Sequence, residues 1–305
     1  MIVKQSTAAL AVDRVRPGLS ILLRRRFRVY RMSLAQYYRG DCVLPDFLII
    51  GAMKSGTTTL FHMLRQHPGF LPPVTKEVQY FNQPRNYRRG EGWYRAHFPR
   101  QSEVERAHVH LGYQPVTGEA TPAMSAPGYA AHAAALVPNA RIIVTLRNPV
   151  DRAWSHYQHV RRHALPEKAE FRDVIAREQR WHESGLALST ENYSKLGPRL
   201  HKLGYVSRGQ YAEQIEQWLR YFPREQFLFL NFDEWKASSI TAAAQIALHV
   251  GLPEHPFEAC AANVGGYAST MPDDCREQLI EHFRPWNSRL FELLGEDWGW
   301  PCTAQ

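Results

Sequence analysis

The sequence predicts an α/β protein with a P-loop-like central parallel sheet flanked by helices. Three observations carry that expectation. The runs Phe47-Leu48-Ile49-Ile50, Arg141-Ile142-Ile143-Val144-Thr145-Leu146 and Gln226-Phe227-Leu228-Phe229-Leu230-Asn231-Phe232 are apolar with little alternation, as in strands buried on both faces. Segments with helical apolar spacing separate them, and parallel strands need such crossovers. The first run leads straight into Gly51-Ala52-Met53-Lys54-Ser55-Gly56-Thr57-Thr58-Thr59, a glycine-bracketed turn followed by a helix.

That first stretch is an anion site in its chemistry. Gly56 lets the backbone approach a ligand closely. The amides of Gly56, Thr57 and Thr58 fall at a helix N-terminus, and Lys54, Ser55 and the threonine hydroxyls add charge and donors. A Walker loop places its lysine after the second glycine with a hydroxyl beside it for magnesium. Here Lys54 precedes Gly56, an order that resembles the 5′-phosphosulfate loop of sulfotransferases. The plainer alternative is a strand-to-helix turn rich in small residues. The helix is expected over Thr59 to Gln66, closed by His67-Pro68.

The remaining elements follow in order. The 305 residues carry 37 Lys and Arg against 29 Asp and Glu, a net charge of +8, which points to anionic partners: nucleic acid, an acidic glycan or a nucleotide. Residues 1–44 form a basic lead-in containing Arg24-Arg25-Arg26, suited to peripheral membrane contact or to simple solvation. Residues 45–305 form one domain. No apolar run reaches the ~18 residues of a membrane span. Four cysteines without a C-x-x-C pair, Cys42, Cys260, Cys275 and Cys302, argue against zinc and for free thiols in a reducing, cytoplasmic setting, with a Cys260–Cys275 disulfide as the alternative.

Leu71 to Asn82 reads as an extended segment in which Glu77 and Gln79 share a face between Val78 and Tyr80. A carboxylate in such surroundings is a candidate general base or a salt-bridged strand residue. Residues 83–100 interleave Arg85, Arg88, Arg89 and Arg95 with Tyr87, Trp93, Tyr94 and Phe98. They suit either a stacking surface for an anionic sugar or single strand, or a helix with an apolar side. Val116 to Ala123 reads as a short strand and loop, and Tyr129 to Leu136 as an alanine-rich helix. The Arg141 strand ends in Arg147-Asn148-Pro149, and a helix over Val150 to Arg162 sets Arg147 and Ser155 where a second phosphate would bind, or where an N-cap and salt bridge would form. Residues 163–204, polar and weakly periodic, are expected to be a mobile, acceptor-facing segment. Helices over Gly209 to Tyr221, Ser239 to Val250 and Pro272 to Leu294 complete the chain.

The ordered set of motifs resembles the carbohydrate sulfotransferases that use 3′-phosphoadenosine-5′-phosphosulfate (PAPS), in particular heparan and chondroitin sulfate sulfotransferase domains and their soluble bacterial relatives. The matching residues are Lys54-Ser55-Gly56-Thr57-Thr58, Lys76-Glu77-Val78-Gln79-Tyr80-Phe81-Asn82, Gly90-x-x-Trp93-Tyr94, Gly118-Glu119-x-Thr121-Pro122, Leu146-Arg147-Asn148-Pro149-x-x-Arg152-Ala153-x-Ser155-x-Tyr157, Gly209-x-Tyr211 and Trp218 to Pro223. The resemblance implies a single sulfotransferase domain in which Lys54 to Thr58 grip the 5′-phosphosulfate and Arg147 and Ser155 hold the 3′-phosphate. Glu77 would be the base on an acceptor hydroxyl and Lys54 the charge stabiliser. It implies a carbohydrate acceptor, anionic or neutral, with no metal and no nucleic-acid partner. Ala120 and Val264-Gly265-Gly266 depart from the pattern where members carry cations. A P-loop kinase and a polyanion-binding protein are the competing classes.

Overall fold

A computed structural model describes residues 41–162, 167–183, 204–259 and 269–301. Four strands, β1 (Phe47–Gly51), β2 (Gly118–Glu119), β3 (Arg141–Leu146) and β4 (Phe227–Asn231), form one sheet in the order β2-β1-β3-β4. Every pairing is parallel. The helices are α1 (Thr57–Leu64), α2 (Gln101–Leu111), α3 (Tyr129–Leu136), α4 (Pro149–Arg161), α5 (Phe171–Glu183), α6 (Tyr211–Leu219), α7 (Ser239–His249) and α8 (Asp273–Leu294), with short helical turns over Pro84–Tyr87, Glu91–Arg95 and Phe232–Trp235.

Alternation along the central strands explains why their sequence looks uniformly apolar. Leu48, Ile50, Ile142 and Val144 face a layer containing Tyr129, Trp218 and Phe222. Phe47, Ile49 and Ile143 face the opposite layer with Leu60, Leu64 and Ile246. Both faces are covered by helices, so neither set tolerates a polar residue; each such side chain contributes roughly 1.5–3 kcal/mol by leaving water. A third cluster joins α4, α5 and α8 through Tyr157, Phe171, Val174 and Phe283.

Register aims the strand ends. β3 and β4 pair from Ile142↔Phe227 to Leu146↔Asn231, so Arg147 and Phe232 emerge side by side. The pairing of β1 with β3 shifts between Ile49 and Gly51, immediately before the glycine-bracketed turn. The polar termini therefore gather at one edge, the carboxyl ends of parallel strands where ligands of open α/β sheets bind.

Three expectations need correction. The first helix begins at Thr57, two residues earlier than its apolar spacing indicates, because Gly56 at its N-cap is already in the left-handed region. The polar stretch after Arg162 contains a regular helix, α5, whose inner side is Phe171, Val174, Ile175 and Glu178; a buried glutamate stands where the next apolar residue would complete the stripe. The segment containing Glu77 is irregular and not a strand, with Gln79 at φ 54. The basic lead-in up to residue 40, residues 184–203, Cys260, Cys302 and the Asn263 to Tyr267 stretch lie outside the described residues; Cys275 is a buried free thiol. Among the described residues no helix is long and apolar enough to cross a membrane.

Candidate functional site

The turn after β1 is held by a relay that reaches across the sheet. Ala52 N donates to Thr145 O at 2.6 Å and Ser55 N to Ala52 O at 3.1 Å. Thr145 Oγ1 donates to Ser55 O at 2.9 Å, and Trp235 Nε1 donates to Thr145 Oγ1 at 2.8 Å. Gly56 takes φ 78, and a Cβ built there would stand 2.4 Å from two Trp235 ring atoms and 3.0 Å from Phe232. Glycine is required twice over, by conformation and by space. Lys54 also lies at φ 74, a conformation costly for a residue with a Cβ and sustained by the fastenings around it.

No side chain caps α1 and its first turn carries no acidic residue. The N–H groups of Thr57 and Thr58, with the positive end of the helix dipole, thus remain available to an anion. Thr57 is buried, Thr58 part-exposed and Ser55 fully buried.

Arg147 faces this loop from the end of β3. Its guanidinium lies 5.0 Å from the Phe232 ring centroid, the same ring that crowds Gly56. Its Nε is buried without a hydrogen-bond partner. Its carbonyl accepts from Tyr211 Oη at 2.9 Å. Burial pushes the Tyr211 hydroxyl up to about 12, against the opposing pull of Arg152, Arg147 and neighbouring Ser55, so it stays a donor at neutral pH. Asn148 caps α4 by accepting from Val150 N at 3.0 Å, with Pro149 at the first helical position. This cap seats Ser155 on the buried side of α4.

Glu77 sits beside β2. Lys76 Nζ is 2.8 Å from Glu77 Oε1 and donates to Ala120 O at 3.2 Å, while Gln79 Nε2 donates to Glu77 Oε2 at 3.3 Å. Each carboxylate oxygen thus has its own donor, and 37% of the Glu77 side chain remains exposed to an incoming molecule. Lys76 brings a cation against the Ala120 carbonyl, the position where the sequence lacks one. Lys76 also adds, after burial and Arg65, to the effects that lower the His62 pKa, which sets Glu77's neighbour close to α1.

Behind Glu77 lies a buried hub that sequence reasoning left without a role. Glu119 accepts from Val78 N at 2.9 Å, Thr121 Oγ1 at 2.6 Å and Tyr94 Oη at 2.8 Å. Gln79 N donates to Thr121 Oγ1 at 3.2 Å. Burial raises the Glu119 pKa while those hydrogen bonds lower it. Three donors converge on one carboxylate, so Glu119→Gln turns an amide N–H toward a donor. The expected cost is about 1–3 kcal/mol of stability, read as a lower urea midpoint.

The aromatic residues at 83–100 resolve differently from the stacking-surface alternative. Trp93, Tyr94 and Phe98 are buried in the core, with Tyr80 stacked on Tyr94 at 4.6 Å. Arg89 lies 4.8 Å over the Trp93 ring from the exposed side. Arg85, Arg88 and Arg89 are exposed there, while Tyr87 and Arg95 are half-buried. A cleft of about 490 Å³ lined by Ala244, Leu248, His255 and Pro256 lies against α7 and contains none of the candidate residues. Among the described residues no group of three or more His, Cys, Asp or Glu side chains could hold a metal ion.

The chain belongs to the sulfotransferase domain family, whose model matches residues 44–264. It is 29% identical over 279 residues to the bifunctional heparan sulfate N-deacetylase/N-sulfotransferase 1 of Caenorhabditis elegans, an alignment covering 82% of this chain and 30% of the relative. It is 34% identical over 220 residues to the human bifunctional heparan sulfate N-deacetylase/N-sulfotransferase 3, covering 70% of this chain and 23% of that protein. The chain thus spans under a third of these curated relatives. A sulfotransferase from Alicyclobacillus acidocaldarius superposes with a TM-score of 0.61 at 27% identity, over 84% of this chain and 97% of that one.

Proposed function

We propose that this chain transfers a sulfuryl group from PAPS to a hydroxyl of a carbohydrate acceptor. The observation that carries the reading is the convergence of the Lys54–Thr58 loop and Arg147 on one aromatic ring, Phe232, at the carboxyl edge of the sheet. The residues fit the cofactor's chemistry: an uncapped helix start, a glycine with no room for a side chain, and a buried arginine nitrogen lacking a partner. PAPS supplies an activated sulfuryl group on an anhydride to phosphate.

The chain's own residues divide the work. The amides of Gly56, Thr57 and Thr58, with Ser55 and the threonine hydroxyls, hold the 5′ anion, and Arg147 and Ser155 hold the 3′-phosphate. Glu77, oriented by Lys76 and Gln79, accepts the acceptor's hydroxyl proton. Lys54 offsets negative charge growing on the leaving oxygen, and no metal is needed for that role. The heparan sulfate relatives support a carbohydrate acceptor.

Calorimetric titration with adenosine 3′,5′-bisphosphate, 5′-AMP and ATP, each with magnesium and again with EDTA, tests the reading. Preference for the bisphosphate is expected. A preference for ATP that EDTA abolishes would instead establish a kinase, which the lysine-before-glycine order opposes. Arg147→Ala should weaken the bisphosphate roughly ten- to a hundredfold while leaving 5′-AMP nearly unchanged. Equal loss for both would remove Arg147 from the 3′-phosphate.

A further inference from the structure

We propose that Tyr211, outside the loop and the Arg147–Ser155 pair, is a positioning residue for the 3′-phosphate: its hydroxyl fixes the strand-end peptide from which Arg147 reaches the ligand. The inference deepens the PAPS reading above and rests on it. Leu146 pairs with Asn231 as the last residue of β3, and α4 begins at Pro149 behind its cap, Asn148. The peptide joining Arg147 to Asn148 thus falls between the sheet ladder and the helix. Neither supplies partners for its two polar atoms, and the Asn148 side chain is already engaged with Val150 N at 3.0 Å.

Partners arrive from far along the chain. Tyr211 Oη donates to the Arg147 carbonyl at 2.9 Å, and Asn148 N donates to Asp233 Oδ2 at 3.3 Å. One peptide unit is therefore held at both of its polar atoms. β3 holds the peptide before Arg147 and these two bonds hold the peptide after it, which leaves the Cα–Cβ bond of Arg147 one direction. That direction carries the guanidinium to 5.0 Å from the Phe232 ring centroid, with its Nε buried and lacking a partner. The Asp233 bond is longer and exposed, and water can take its place, which leaves the tyrosine as the group to test.

Tyr211 is itself set with little freedom. It is the first residue of α6 and is buried in the core. Two residues before it, Gly209 packs so closely that a Cβ there would stand 2.9 Å from Pro149 of α4 and 2.7 Å from Phe283 of α8. Gln214 Nε2 donates to Ser207 O at 3.1 Å and to Gln210 O at 3.0 Å, which ties α6 to the turn leading into it. A phenylalanine would fill the same space. What the hydroxyl adds is the link to Arg147, and burying a hydroxyl is costly unless such a link is made.

Calorimetry with adenosine 3′,5′-bisphosphate, 3′-AMP and 5′-AMP, on wild type, Tyr211→Phe, Arg147→Ala and the double variant, provides the test, with thermal midpoints alongside. Tyr211→Phe should lose roughly three- to tenfold in affinity for the bisphosphate and 3′-AMP while 5′-AMP stays within about twofold of wild type. In the Arg147→Ala background it should cost no further affinity, because the side chain it aims is gone. A lowered midpoint alone moves neither comparison, since the ligands are ranked on one folded protein. Unchanged affinities, an equal loss for all three ligands, or a loss that adds in full to that of Arg147→Ala would overturn the proposal while the PAPS site stands. Wild type that shows no preference for the bisphosphate over 5′-AMP would overturn the PAPS reading itself, and this proposal with it.

Discussion

Glu77→Gln should lower turnover by roughly a hundredfold or more while leaving affinity for adenosine 3′,5′-bisphosphate within about twofold of wild type. The substitution keeps the size and most of the shape of the side chain. Gln79 Nε2 still finds an oxygen, and Glu119 still holds Val78. What disappears is the lone pair able to accept a proton, together with the ion pair to Lys76. Steady-state sulfation with labelled PAPS measures the first quantity and calorimetry the second. Turnover near wild type would remove Glu77 from the chemical step. Loss of nucleotide affinity in parallel would mean that the segment supports the cofactor site mechanically.

Gly56→Ala should abolish nucleotide binding within measurable range and lower the thermal midpoint. A left-handed conformation costs a residue with a Cβ about 1–2 kcal/mol. The added methyl also meets the Trp235 ring at 2.4 Å, and that ring is tied through Nε1 to Thr145 and thence to Ser55. The loop, the ring or the relay must shift, and each shapes the anion site. Gly112→Ala is the matched control: Gly112 has φ 77 and ψ 7, the same left-handed conformation as Gly56, but nothing lies within 4 Å of its would-be Cβ. It should cost the backbone energy alone and leave bisphosphate binding intact. Similar binding in both variants would show that the close packing of Trp235 against the loop has no bearing on ligand affinity.

The parallel sheet was legible because strands covered on both faces leave a plain signature, as in Phe47 to Ile50 and Ile142 to Leu146. The loop was legible because glycine, lysine and hydroxyl residues crowd a short window whose order carries chemistry. Helix α5 was not, since Glu178 interrupts its apolar stripe for a reason that lies in the turn at 206–207. The arginine-aromatic segment left two readings open, and only depth decides between them: Tyr94 turns its hydroxyl inward to Glu119. Glu119 and Trp235 act on residues far away in sequence, so no local window discloses their roles. Lys76 is the intermediate case, since its cation is visible in the sequence while its seat against the Ala120 carbonyl is not.

The relay Trp235–Thr145–Ser55 has a consequence for a chain still being synthesised. Each of its two side-chain links spans 90 residues. A nascent polypeptide displays the glycine-bracketed loop early, yet lacks the indole that shapes it until β4 and the turn after it have left the ribosome. Nucleotide recognition should therefore arrive late and at once, as a property of the nearly finished domain. Chains arrested after β3 should be blind to the bisphosphate although their loop sequence is complete.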